Sequence, residues 1–200
     1  MRRPSRRHPL CAQRRLTGPT EERPWLAVPS ILMAAVRRIR SGDSSMLRDL
    51  RLRALQADPD SFGSSYEREV DRPADAWERW ALESSTGYQQ CLFVAESDGH
   101  WVGIAGAYMP AEEPGSRELF GMWVAPAARA AGVGTELVQS VLDWSIRGGA
   151  EEIRLWVVES NRVAGRLYER AGFAETGVFQ PLPSNPSLTE TRMSLRLGSD

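Results

Sequence analysis

The chain has 200 residues, 42% hydrophobic and 26% charged, and its 25 basic residues, all arginine, stand against 26 acids for a formal net charge of -1. That length and balance suit one soluble domain with a substantial core, and they give no global case for nucleic acid or for an anionic membrane surface as a partner. Two cysteines, Cys11 and Cys91, are too few for a disulfide framework. With the two histidines they show no metal-ligand spacing, so no metal is expected and a reducing cytoplasm is the expected location.

Residues 1–32 carry seven arginines against two acids and several prolines, without the apolar segment and cleavage site of a signal peptide. This head is expected to be a disordered extension, or to lie upstream of a true start at Met33, with the domain over 33–200. The apolar run from Trp25 is too short to span a bilayer and is broken by Pro29. The arginines are scattered over the whole chain instead of forming a stripe, which argues against nucleic acid.

The first strand candidate is "AVRRIR" from Ala35. In "SGDSSMLRDLRLRALQADPD", Asp43 or Ser44 can cap a helix carrying Met46, Leu47, Leu50 and Leu55. A second helix, "ADAWERWALES", puts Trp77 and Trp80 on one face, where both read as core. "QCLFVAES" and "HWVGIAGAYM" flank Asp98-Gly99, a strong hairpin signal, and "RELFGMWV" continues the meander. A long helix from "TELVQSVLDWSIR" stops at Gly148-Gly149, and "EEIRLWVV" follows as a strand whose continuous apolar stretch implies burial on both faces. A helix over "SNRVAGRLYERAG" closes at Gly172, and two strands, "FAETGVF" and "LTETRMSLRL", flank the loop "QPLPSNPS". This order predicts an α/β (α+β) domain around one mixed sheet.

"PAARAAGVGTEL", Pro126 to Leu137, places glycines where the long helix should start. A helix leaves its first N–H groups unpaired and adds a partial positive charge there, so Gly132 and Gly134 could open the backbone to an anion, with Arg129 as a cation beside it. A P-loop would need lysine, and a dinucleotide fingerprint would need glycine at Leu137.

"RAAGVG", Arg129 to Gly134, resembles the pyrophosphate loop of the GNAT superfamily of acetyl-coenzyme A-dependent N-acetyltransferases. "NRVAGRLYERAGF", Asn161 to Phe173, resembles that family's second signature, and the resemblance extends over Ala35 to Leu197. It implies a mostly antiparallel mixed sheet of 6–7 strands flanked by about four helices, splayed between the fourth and fifth strands.

The resemblance further implies that the main chain of Arg129, Ala130, Ala131, Gly132, Val133 and Gly134 holds the pyrophosphate of acetyl-CoA. The backbone of Met122, Trp123 and Val124 would pair with the pantetheine arm, their side chains serving the core. Asn161 would bond the pantetheine or cap its helix. Tyr168 would contact the sulfur and protonate the leaving thiolate, against a core role as an amphipathic tyrosine. Glu118 would take the amine's proton, against the alternative of a solvated strand-edge carboxylate. Glu112, Glu113 and Glu190 compete for that part. Cys91 reads as buried structure and His100 as exposed.

The expected function is acetyl transfer from acetyl-CoA to a primary amine of a small molecule or a protein N-terminus; the rival is a catalytically silent acetyl-CoA sensor. The acceptor wall is expected from the first helices, residues 62–73 and the "QPLPSNPS" loop, with Glu67, Glu69 and Asp71 available to attract a cationic amine. A homodimer through an edge strand is compatible with the sequence.

Overall fold

A computed structural model describes residues 34–198. The expectations for residues 1–32, Met33 and Cys11 lie outside the described residues. Seven strands form one sheet in the order β1-β2-β3-β4-β5-β7-β6. They are β1 (Ala35–Arg38), β2 (Gln90–Ser97), β3 (His100–Tyr108), β4 (Ser116–Val124), β5 (Glu152–Val158), β6 (Ala174–Leu182) and β7 (Asn185–Arg196). Neighbours run antiparallel except β4 and β5, which are parallel. The helices are α1 (Ser44–Ala57), the single turn α2 (Tyr66–Glu69), α3 (Ala74–Thr86), α4 (Val133–Arg147) and α5 (Arg162–Arg170).

Alternation along the strands divides the core in two. Cys91, Phe93 and Ala95 of β2 pack on the face that carries Leu137, Val138 and Val141 of α4. Leu92 and Val94 point the other way, toward Leu47, Leu50 and Leu55 of α1 and Trp77 of α3. Desolvation there pushes the Cys91 thiol up to about 12, consistent with a structural cysteine. The β2–β3 hairpin turns at Asp98 and Gly99 with φ of 51° and 74°, the type I′ pattern whose twist matches the strands.

Four local expectations need correction. Asp43 stands at the N-cap position of α1, but its carboxylate accepts from Arg40 N–H (2.9 Å) and Arg37 Nη1 (2.7 Å) rather than from the helix. Met46 is exposed, because the buried stripe of α1 runs through Leu47, Leu50, Ala54 and Leu55. The "QPLPSNPS" segment is mostly strand, with the turn confined to Pro183 and Ser184; β6 is an edge strand, where proline's missing donor costs no ladder bond. β5 is sealed along one face, where Ile153, Leu155 and Val157 face α4, while on the opposite side Arg154 and Trp156 are half-buried and Val158 at the strand's end is buried.

β4 and β5 pair only from Ser116 to Glu118 against Glu152 to Arg154. Beyond that they diverge, β5 staying with β7 as far as Val158 opposite Glu190. Within β4 the register against β3 slips between Phe120 and Trp123, and Gly121 takes a φ of 66° that a side chain would resist. A bulge therefore sits where β4 leaves its neighbour.

Candidate functional site

The gap between β4 and β5 ends at the start of α4. A 3₁₀ turn over Pro126–Ala128 leads into Arg129, and then Ala130 and Gly132 both adopt positive φ, 63° and 85°. Two left-handed residues in three turn the chain sharply into the helix, and Ala130 carries the strain of an alanine in that region. Among the described residues, the amides of Ala130, Ala131, Gly132, Val133 and Gly134 donate to no protein acceptor, whereas Arg129 N–H bonds Pro126 O at 3.3 Å. Five free donors thus cluster at the positive end of a 15-residue helix.

The glycines act differently from one another. A Cβ at Gly132 would meet open space, so its requirement is conformational. A Cβ at Gly134 would lie 3.3 Å from both Leu167 Cδ2 and Met122 Cε, so its absence lets α4, α5 and β4 converge. Gly132 thus leaves the backbone open toward solvent, whereas the missing Cβ at Gly134 serves packing.

Arg129 also departs from expectation. Its Nε donates to Val124 O at 2.9 Å and its Nη2 bonds Asp58 Oδ2, so the guanidinium ties the loop back instead of standing free. Asp58 Oδ2 accepts from Trp123 Nε1 as well, at 2.7 Å. That carboxylate, which sequence reasoning missed, fixes the end of β4 and the loop together. "ADPDSF" signals the end of a helix, but nothing local announces partners 65 and 71 residues away. The same segment continues to Ser61, 3.5 Å from Asn161 Nδ2 at the end of β5.

Asn161 Oδ1 accepts from Ala164 N–H at 3.1 Å, an N-cap on α5. Two turns on, Tyr168 is buried against Phe173, their rings edge to face at 5.8 Å. Burial pushes its phenol well above the ordinary range, which keeps it protonated.

Of the residues named from the sequence, Met122, Gly134 and the α5 residue next to Tyr168 meet at one place. Glu118 does not join them. It lies on the sheet face free of α4, where Oε1 accepts from Arg192 Nη2 at 2.6 Å and lies 3.2 Å from Arg154 Nε, leaving Oε2 without a donor. Both arginines were missed, since they reach Glu118 only through the strand order. Glu113 pairs with Arg154 (2.7 Å), Glu190 is buried beside the Gln180 amide (3.0 Å), and Glu112 and His100 are exposed.

Two of the segments expected to line the acceptor side meet. Ser184 Oγ donates to Phe62 O, and Asn185 Nδ2 to Asp60 Oδ1 at 3.0 Å, bringing the β6–β7 turn onto residues 60–63. Glu69, however, is buried and paired with Arg51 at 2.8 Å, so its charge is spent inside. Trp77 is core as expected, but Trp80 is half-buried and lines an open groove with Tyr108 and Phe120.

Comparison with known proteins agrees with this architecture. A model described as Acetyltransferase (GNAT) family matches residues 50–173. A protein of Xenopus tropicalis named "Probable N-acetyltransferase camello" is 36% identical over 94 residues, 47% of this chain and 42% of that one, so the chain spans less than half of that relative's length. A GNAT-family acetyltransferase of Streptococcus pneumoniae superposes with a TM-score of 0.72 at 18% identity, covering 82% of this chain and 99% of that one. The Salmonella typhimurium protein yncA, solved with its cofactor acetyl-CoA, gives 0.69 at 20% identity over 84% and 95%. These likenesses show the fold.

Proposed function

The chain belongs to the acetyltransferase (GNAT) family, and on that premise we propose that it transfers an acetyl group from acetyl-CoA to a primary amine, of a small molecule or of a protein N-terminus. The observation that carries this reading is the cluster of five amides, Ala130 to Gly134, that are unpaired among the described residues at the wide end of the β4–β5 gap. Acetyl-CoA supplies the acyl group and, as its C–S bond breaks, the leaving thiolate.

The amides of Ala130 to Gly134 hold the diphosphate; Arg129 shapes the loop through Val124 and Asp58. The backbone around Met122, freed from pairing on the gap side, orients the pantetheine arm and the acyl carbonyl. Asn161 spends Oδ1 on its helix, while Nδ2, whose one protein acceptor among the described residues is Ser61 Oγ at 3.5 Å, offers its second hydrogen to the same arm. Tyr168 donates its proton to the departing sulfur. Glu118 accepts the amine's proton at Oε2, directly or through water, with Arg154 and Arg192 fixing its orientation. The nitrogen–carbon bond forms as the carbon–sulfur bond breaks, and no covalent enzyme intermediate is required.

The test is release of free thiol from acetyl-CoA with a panel of amines. The proposal expects release that depends on amine and enzyme together. Binding of acetyl-CoA without release for any amine would contradict it.

A further inference from the structure

Resting on that transfer reading, we infer that the groove beside Phe120, midway along β4, is a subsite for an aromatic ring, so that the acceptor is a ring-bearing primary amine. The groove is open to solvent, with about 490 Å³ of space above its lining. Trp80 of α3, Tyr108 of β3 and Phe120 of β4 line it. Trp80 and Phe120 stack with centroids 6.3 Å apart, and Tyr108 meets Phe120 at 5.7 Å with the rings tilted by 60°. Tyr108 is 42% exposed, a large apolar surface left open to a further ring.

Most of its charges have neighbours to pair with, one pair buried and the others at the solvent-exposed rim. Arg51 pairs with Glu69 (2.8 Å), Arg79 with Asp75 (2.6 Å), and Glu83 takes the Gln90 amide (3.0 Å). Arg72 lies over Trp77 and Trp80, 5.0 and 5.4 Å from their centroids. What the groove offers a ligand is therefore ring faces and edges. Its position supplies the link to chemistry, because Phe120, midway along β4, immediately precedes the bulge at Gly121 and Met122 and packs on the sheet face away from α4 and the anion loop. A ring seated there does not compete with the diphosphate.

The shared chemistry, an aromatic ring on a primary amine, could come from a free aralkylamine or from a peptide beginning with phenylalanine. Initial rates with phenethylamine against butylamine, and with a Phe-initiated against an Ala-initiated peptide, distinguish the sources. The expected preference in kcat/KM is about 10–100-fold for the ring, the scale set by burying an aromatic side chain. Trp80→Ala and Tyr108→Ala, each verified by a cooperative melt, should bring that ratio toward one; either folded variant suffices. Equal kcat/KM for both members of both pairs, or a ratio unchanged in a folded variant, overturns the subsite and leaves acyl transfer intact. If no amine is acetylated, calorimetry decides: binding of phenethylamine but not butylamine supports the subsite while removing the transfer reading, and binding of neither overturns the subsite.

Discussion

The two ends of β4 are built from different parts of the chain. Beyond its C-terminal end the donors are peptide N–H groups of Ala130 to Gly134, and the one long side chain, Arg129, is turned back onto Val124 and Asp58. At its N-terminal end the surface is made of side chains from five elements: Trp80, Tyr108, Glu118, Arg154 and Arg192. A backbone site depends on φ and tolerates alanine at two of its positions, whereas a side-chain site depends on which residues stand there. The first kind suits a constant ligand group and the second a variable one.

Substitutions should separate the two ends. The largest effect belongs between them: Tyr168→Phe should lower kcat by about 10²–10⁴-fold, the usual worth of a positioned proton donor. Calorimetry should show the Kd for acetyl-CoA moving far less, and equal turnover of variant and parent would remove Tyr168 from the chemistry. At the side-chain end, Glu69→Ala leaves the buried Arg51 unpaired and should cost about 3–5 kcal/mol in chemical denaturation.

Acid should expose the same pair. Burial acts to raise the Glu69 carboxyl, but Arg51, helped by the Ser64 hydroxyl and Arg72, makes the net shift downward. Its contribution is thus present above the unfolded value of about 4.3 and is lost as pH falls through the lower folded one. Melts of Glu69→Gln should show a smaller acid-induced loss across that window than the parent; parallel curves would contradict the pairing.

At the backbone end, Gly132→Val forces a branched side chain into left-handed geometry, a penalty of roughly 1–2 kcal/mol, and should weaken acetyl-CoA by roughly 5–30-fold. Arg129→Ala should do least, less than about 1 kcal/mol, because its ion pair with Asp58 is substantially exposed. A larger loss of affinity in Arg129→Ala than in Gly132→Val would reverse the contrast between the two ends.

Sequence patterns revealed the backbone end better than the side-chain end, for a physical reason. Positive φ, a helix start and an N-cap leave local marks: Asp98-Gly99, Gly132 and Asn161 all stand where turn and cap chemistry requires. The partners of Glu118 leave none, since Arg192 is 74 residues away and reaches it only through the order β4-β5-β7. The half-buried face of β5 was hidden because Trp156 extends an apolar run while sitting on it. Trp80 shares a helical face with Trp77, and only the packing of α3 on the sheet separates a sealed ring from a half-open one.

Calorimetry comparing acetyl-CoA with S-acetylpantetheine, which keeps the thioester and lacks the diphosphate together with the 3′-phosphoadenosine it carries, tests whether the phosphate end of the coenzyme, seated on the amides beside Gly132, does the holding. Charge-assisted hydrogen bonds and the helix end together predict that acetyl-CoA binds about 100-fold more tightly. Equal affinity for the two compounds would contradict the account.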